Sequence, residues 1–193
     1  MSDLRETAAT ERIIKTSWGS VSILLDSPWC IACRYFDGLP AGRDSFFCRT
    51  TLDVEGERVP VFDLDSLCRN LFAVKSDFSF PAAVFASTSG MRPDQLKILS
   101  EHLKMLPEHL KILPEHLSTG DCQFSAKHIA FRLSGETGLK VLPRSRRKPV
   151  PGAVGVLYSQ TGIRGVSFED GGIDWYVDPF ELLMRAVTPD GET

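Results

Sequence analysis

Much of what marks a catalytic or membrane protein is missing from this chain. No apolar run approaches the roughly 18 residues that a membrane helix needs. There is no Gly-rich phosphate loop, no nucleophile elbow and no paired CxxC of zinc type. The N-terminus, MSDLRETAATERIIK, is polar and has no apolar centre, so no secretory signal is expected. An excess of one charge is missing too. With 22 Lys and Arg against 25 Asp and Glu the net charge is -3, which gives nucleic acid or an anionic membrane no reason to bind. Histidine is scarce, and three of the four, His102, His109 and His116, recur at seven-residue spacing. On a helix that separates neighbours by about 10 Å, too far to share one metal ion. Nothing here asks for a cofactor.

What is present fits a globular domain. Apolar residues make up 42% and charged residues 24%, ordinary proportions for a soluble protein. A chain of 193 residues can bury a core without covalent staples. Its five cysteines, Cys30, Cys33, Cys48, Cys68 and Cys122, are an odd number in a domain of this size. That points to reduced thiols and a cytoplasmic location rather than a secreted disulfide framework.

The local pattern is mostly β. Arg12 to Trp18 and Val21 to Leu25 are β-rich runs around the turn pair Gly19-Ser20. Arg58-Val59-Pro60-Val61-Phe62 follows the turn Glu55-Gly56-Glu57. Since Pro60 has no N–H, this strand is expected at a sheet edge, or with Pro60 on its non-bonding side. Asp63 or Asp65 can cap a short helix from Ser66 to Leu71. Phe80 to Ala86 is a further apolar strand. His128 to Leu133 and Gly138 to Leu142 flank Ser134-Gly135-Glu136-Thr137 in a hairpin pattern. Gly162 to Phe168 and Ile173 to Val177 flank Asp170-Gly171-Gly172 in another. Asp178-Pro179-Phe180-Glu181 then joins a capping Asp, Pro at the first helical position and Glu three after the cap, which predicts a helix from Pro179 to Ala186.

One stretch stands apart. Residues 96 to 117 repeat a heptad, LKILSEH-LKMLPEH-LKILPEH-L, with Leu at a/d spacing. Pro107 and Pro114 interrupt it, so a continuous helix fits only from about Pro93 to about Met105. Near-identical copies suggest a duplicated insertion that the fold does not need, so removal of residues 100 to 113 should leave the domain folded. The stripe Leu96, Leu99, Leu103 and Leu106 could dock a partner helix or fold back on its own domain, and burial within the same chain is the expectation.

An internal echo links the two ends. With Asp63 laid on Asp178, Glu55-Gly56 falls on Asp170-Gly171, Val61-Phe62 on Tyr176-Val177 and Leu67 on Leu182. Both stretches read acid-Gly turn, strand, Asp cap, short helix, which suggests two related β halves. The segments GERVPVFDLDSLCR, GIRGVSFEDGGIDWYVDPFELL, RIIKTSWGSVSILLDS and HIAFRLSGETGLKVLP together resemble CheW-like domains. That resemblance covers most of the chain outside residues 90 to 122. It implies a mainly β fold of two small interlocked β-barrels, acting as a non-enzymatic adaptor between chemoreceptors and a histidine kinase. The halves would run from about 10 to 89 and from about 123 to 188, with the heptad segment 90–122 inserted between them. Where that family carries Asn-Leu-Arg-Gly ahead of its Val-Pro-Val segment, this chain has Cys48 to Gly56 with no such motif. The candidate partner-contact residues are Val59, Val61 and Phe62, on the possible edge strand.

The stretch Pro28-Trp29-Cys30-Ile31-Ala32-Cys33 supports a different reading. SILLDSPWCIACR resembles the strand-to-helix entry of thioredoxin-like proteins, and Pro81 resembles their strand proline. That implies an α/β fold and a thiol–disulfide oxidoreductase using Cys30 and Cys33. The chemistry would need a thiolate at a helix N-terminus and a nearby resolving thiol. Gly38, Pro40 and Gly42 follow too closely for the helix that architecture requires. Packing in or beside a strand, redox chemistry and a shared metal site are the three readings of this pair. The basic run Arg144-Ser145-Arg146-Arg147-Lys148 reads as a solvated loop, with phosphate or an acidic partner as the alternative.

Overall fold

Alternation of buried and exposed residues organises the chain into strands wherever the sequence shows a two-residue period. A computed structural model describes residues 9–19, 21–26, 29–36, 50–54, 56–72, 81–104, 127–150, 152, 155, 162–169 and 172–187. In chain order the first half of the elements is β1 (Thr10–Trp18), β2 (Val21–Leu25), β3 (Cys30–Tyr35), β4 (Thr50–Val54), β5 (Glu57–Asp63) and α1 (Leu64–Phe72). Then come β6 (Ala82–Ser87), α2 (Pro93–Lys104), β7 (His128–Leu133), β8 (Glu136–Pro143), β9 (Ile163–Glu169), β10 (Gly172–Val177) and α3 (Pro179–Val187). The protein is mainly β. An α/β thioredoxin-like architecture is excluded at its defining point, because Cys30 and Cys33 both lie within strand β3 and not at a helix start.

The strands form two five-stranded sheets, ordered β8-β1-β2-β10-β9 and β3-β6-β7-β5-β4. The two orders are the same pattern. Replace β1 to β5 by β6 to β10, and β6 to β10 by β1 to β5, and one sheet becomes the other. Each sheet therefore takes two strands from one half of the chain and three from the other. The pairing agrees in detail: β2 runs parallel to β10 with Leu25 opposite Val177, and β7 runs parallel to β5 with Phe131 opposite Phe62. Asp63 and Asp178 occupy the same place after these strands. Asp63 Oδ1 accepts from the Ser66 N–H at 3.2 Å, and Asp178 Oδ1 accepts from the Phe180 and Glu181 N–H groups at 3.0 and 3.2 Å. Each cap satisfies donors that the first helical turn leaves orphaned.

Three expectations are corrected. First, β5 is not an edge strand, since β4 and β7 flank it. Pro60 lies opposite Thr51, and pairing to β7 starts one residue later at Val61, so the missing N–H costs that ladder nothing. Second, β7 and β8 are not a hairpin. β7 pairs with β5 and β6, while β8 pairs with β1 in the other sheet. The Ser134-Gly135 link crosses between sheets through a tight passage, where a Cβ on Gly135 would come within 2.6 Å of the Ser17 carbonyl oxygen. Third, β6 opens the second half instead of closing the first, because it pairs antiparallel with β7 as β1 does with β2. The heptad segment thus stands where β1 and β2 are linked by only two residues, with Gly19 at φ 62°. It lies within the second half and not between the halves.

The main core joins both sheets and helices α1, α2 and α3. Ile23, Phe131, Leu133, Leu99 and Leu183 are fully or almost fully buried in it. Phe131 meets Phe180 edge-on, with ring centroids 5.9 Å apart, a favoured aromatic geometry. Helix α2 follows the predicted span within one residue, and its Leu99 and Leu103 are core residues with Leu96 packed alongside. Leu106 and both repeat prolines fall outside the described residues. A smaller core of Val59, Val61, Ala83, Phe85 and Ala130 covers the opposite face of the second sheet.

Beneath the first sheet, Ile13, Leu24, Leu142 and Tyr176 form a third cluster. The Tyr176 hydroxyl is buried with no hydrogen-bond partner among the described residues, and burial pushes its pKa up. An unmade hydrogen bond of this kind carries its desolvation cost in the native state. Tyr176→Phe should therefore leave stability unchanged or raise it by about 1 kcal/mol in a urea titration. A loss of that size would show that the hydroxyl is satisfied in solution.

Candidate interaction surface

The PWCIAC stretch resolves into edge-strand packing. Cys30 lies opposite Ala86, Ala32 opposite Phe85 and Cys33 opposite Val84, with a bulge between Cys30 and Ala32. The extra residue, Ile31, shifts the alternation so that both cysteines turn to the main core while Ala32 turns to the smaller one. Two strand positions separate the cysteine sites, roughly 7 Å, beyond the span of an unstrained disulfide. Neither is disulfide-bonded. Burial pushes the Cys33 thiol pKa up, the reverse of the shift that makes an attacking thiolate. Among the described residues no group of His, Cys, Asp and Glu could hold a metal ion. The residues this stretch exposes are Trp29 and Ile31, with Tyr35 further along the strand.

The most elaborate polar cluster is internal. Asp65, fully buried, accepts from Trp18 Nε1 at 3.0 Å, from the Ser134 N–H at 3.1 Å and from Ser134 Oγ at 2.8 Å. Arg132 lies 3.5 Å from carboxylate oxygens of both Asp63 and Asp65. These bonds tie β1, α1, β7 and the crossing at Ser134 together. Offering Asp63 and Asp65 as alternative caps missed this division. Asp63 caps, and Asp65 holds the two sheets in register.

The three arginines of the basic run are paired on the surface. Arg144 faces Glu11 at 3.9 Å, Arg146 pairs with Glu169 and Arg147 with Asp26 at 2.7 Å. Arg147 also lies over the Tyr176 ring, 5.1 Å from its centroid. With a carboxylate for each guanidinium, this is a solvated, paired loop and offers little to a phosphate.

The candidate contact residues Val59, Val61 and Phe62 are all within 3% of full burial. They are core residues of an interior strand, because β4 covers the side that the reading of Pro60 left open. The exposed apolar surface lies elsewhere. Phe168, 66% exposed, is opposite Ile173, which is 40% exposed and itself opposite Val21. These residues form one rung across β9, β10 and β2. The equivalent rung of the second sheet has Asp53 opposite Arg58. The shared architecture therefore does not require apolar side chains at this place. A second apolar strip, Leu139 and Val141 on edge strand β8, is 61% and 60% exposed and shares a groove of about 620 Å3 with Tyr35. No sequence signal marks the rung, since its three members meet only through the register of strands far apart in the chain.

No family model matches the chain, and no curated protein matches it. Among solved structures it is similar to the scaffolding protein TtCheW from Thermoanaerobacter tengcongensis, at 8% identity and a TM-score of 0.51. That likeness covers 92% of this chain and 90% of the other. Two curled sheets built from exchanged halves, matched along nearly the whole length of both chains, give this protein the CheW-like fold.

Proposed function

We propose that this protein is a non-enzymatic adaptor of the chemotaxis signalling type, working in the cytoplasm and binding a chemoreceptor, a histidine kinase or both. The observation that carries this reading is the rung of exposed Phe168 and Ile173 with half-buried Val21, at a place where the other sheet carries opposite charges. Exposed apolar side chains in cross-strand register, unneeded by the fold, are the physical form of a protein-binding patch, and a central aromatic usually carries much of the energy. The CheW-like fold supports the choice of partners, and the scaffold role of TtCheW is the precedent for it. No helix among the described residues is long and apolar enough to cross a membrane, which fits partners reached from the aqueous side.

The test is binding of the purified chain to a chemoreceptor cytoplasmic fragment and to the regulatory domain of a chemotaxis kinase, followed by calorimetry. The double substitution Phe168→Asp with Ile173→Asp should weaken binding at least tenfold and leave the melting temperature within a few degrees, because both side chains are exposed. Absence of binding by the unaltered chain to either partner would overturn the partner assignment. Undiminished binding by the double variant would overturn the rung as the contact.

A further inference from the structure

Among the described residues strand β8 is an edge of the first sheet, paired only with β1. Its backbone groups alternate between the β1 side and the open side. Two contacts fix which is which. The Arg144 N–H donates to the Ala9 carbonyl, so even-numbered positions face β1. The Thr137 N–H donates to the Tyr35 hydroxyl at 3.2 Å, and that hydroxyl donates to the Thr137 carbonyl at 2.6 Å. One phenol thus occupies both outward groups of Thr137 as a neighbouring strand would. The next outward positions are Leu139 and Val141, and then Pro143, which has no N–H. Among the described residues nothing pairs with the outward N–H and C=O of Leu139 and Val141. Both side chains are also exposed and apolar.

An open edge with apolar side chains invites either aggregation or a partner. Pairing of β8 with a second copy of itself is disfavoured by its own sequence. The two-fold register that uses both Leu139 and Val141 sets Lys140 directly against Lys140 of the second copy, and like charges opposite each other repel. We propose that β8 receives an extended segment of a partner chain as an added strand, bearing an acidic residue opposite Lys140 between two apolar residues. The apolar pair covers Leu139 and Val141, the acid meets the Lys140 ammonium on the other face, and four backbone hydrogen bonds close the open edge. Tyr35 sets one end of the site and Pro143 the other. This inference stands apart from the chemotaxis partners and from the rung on β9 and β10.

The test titrates the 15N-labelled full chain with the end-capped peptide Thr-Val-Glu-Val-Thr and with its counterpart Thr-Val-Lys-Val-Thr. The glutamate peptide should slow amide exchange at Leu139 and Val141 at least tenfold, and the lysine peptide should not. Lys140→Glu should reverse that preference, and Val141→Pro, which deletes one outward donor and no bond to β1, should abolish binding. Should the proline variant fail to fold, the charge reversal alone decides. The proposal is overturned if neither amide is protected at millimolar peptide, or if both peptides bind alike before and after Lys140→Glu. It is also overturned if the two amides become protected with rising protein concentration alone, since the occupant would then be a second copy.

Discussion

Asp65→Ala should cost about 3–5 kcal/mol of unfolding free energy, the range for removing one partner of a buried ion pair. The carboxylate is fully buried and accepts three hydrogen bonds from Trp18 and Ser134 while it faces Arg132. Its loss strands a buried indole N–H and a buried backbone N–H and takes one of two carboxylates away from a guanidinium that is itself buried. Domains of this size are stable by only about 5–15 kcal/mol, so the variant should be poorly folded at 37 °C. Urea titration of both proteins measures the difference. The companion variant Asp65→Asn retains most acceptor geometry and should lose less. A double variant, Asp65→Ala with Arg132→Met, should recover part of the loss by removing the buried charge as well, as a cycle of the two sites would reveal. A loss under 1 kcal/mol in Asp65→Ala would mean that the cluster is solvated and does not fix the sheets.

Leu99→Ala is the second large effect, at about 2–5 kcal/mol for a fully buried leucine. Leu99 belongs to the heptad segment, yet it has no exposed surface and shares the main core with Phe131 and Leu183. The described part of that segment is therefore part of the core. Leu96, partly buried at the rim of the same helix, should lose clearly less on the same substitution. Equal and small losses at both positions would show α2 to be an appendage. The same geometry revises the expectation that residues 100 to 113 are dispensable. Their removal takes away Leu103, 5% exposed in the core, and sets Pro114 directly after Leu99, where it ends the helix.

Local chemistry made several elements legible. The turn at Gly19, the β9–β10 hairpin, the Asp178 cap and the start of α2 at Pro93 are each decided by a few adjacent residues, and each stands where its residues place it. The echo between Asp63 and Asp178 was legible for the same reason. What the residues around Ser134-Gly135 could not show is which sheet the next strand joins. A glycine between two alternating runs serves a hairpin and a crossing equally well, and the choice is made by Asp65, far away in sequence, holding Ser134. Apolar residues at Val59, Val61 and Phe62 look alike whether they face a partner or two cores. They face two cores, with Phe62 in one and Val59 and Val61 in the other. Cys30 and Cys33 share a face only through the bulge at Ile31, which the regular period does not foresee. The interaction surface was the least legible part, because a rung is a property of register and not of any segment.

The exchange of strands between halves has a bearing on how the chain is made. β1 and β2 are synthesised first, but three of the five strands of their sheet are β8, β9 and β10. The other sheet waits likewise, since β3, β4 and β5 need β6 and β7 between them. A nascent chain that has emerged only as far as α1 can close neither sheet, and its apolar strands must stay out of unwanted pairings in the meantime. Contacts so distant in sequence also make for slow closure. Vulnerability to chaperone capture and proteolysis should therefore be greatest during translation and fall abruptly once β10 has left the ribosome.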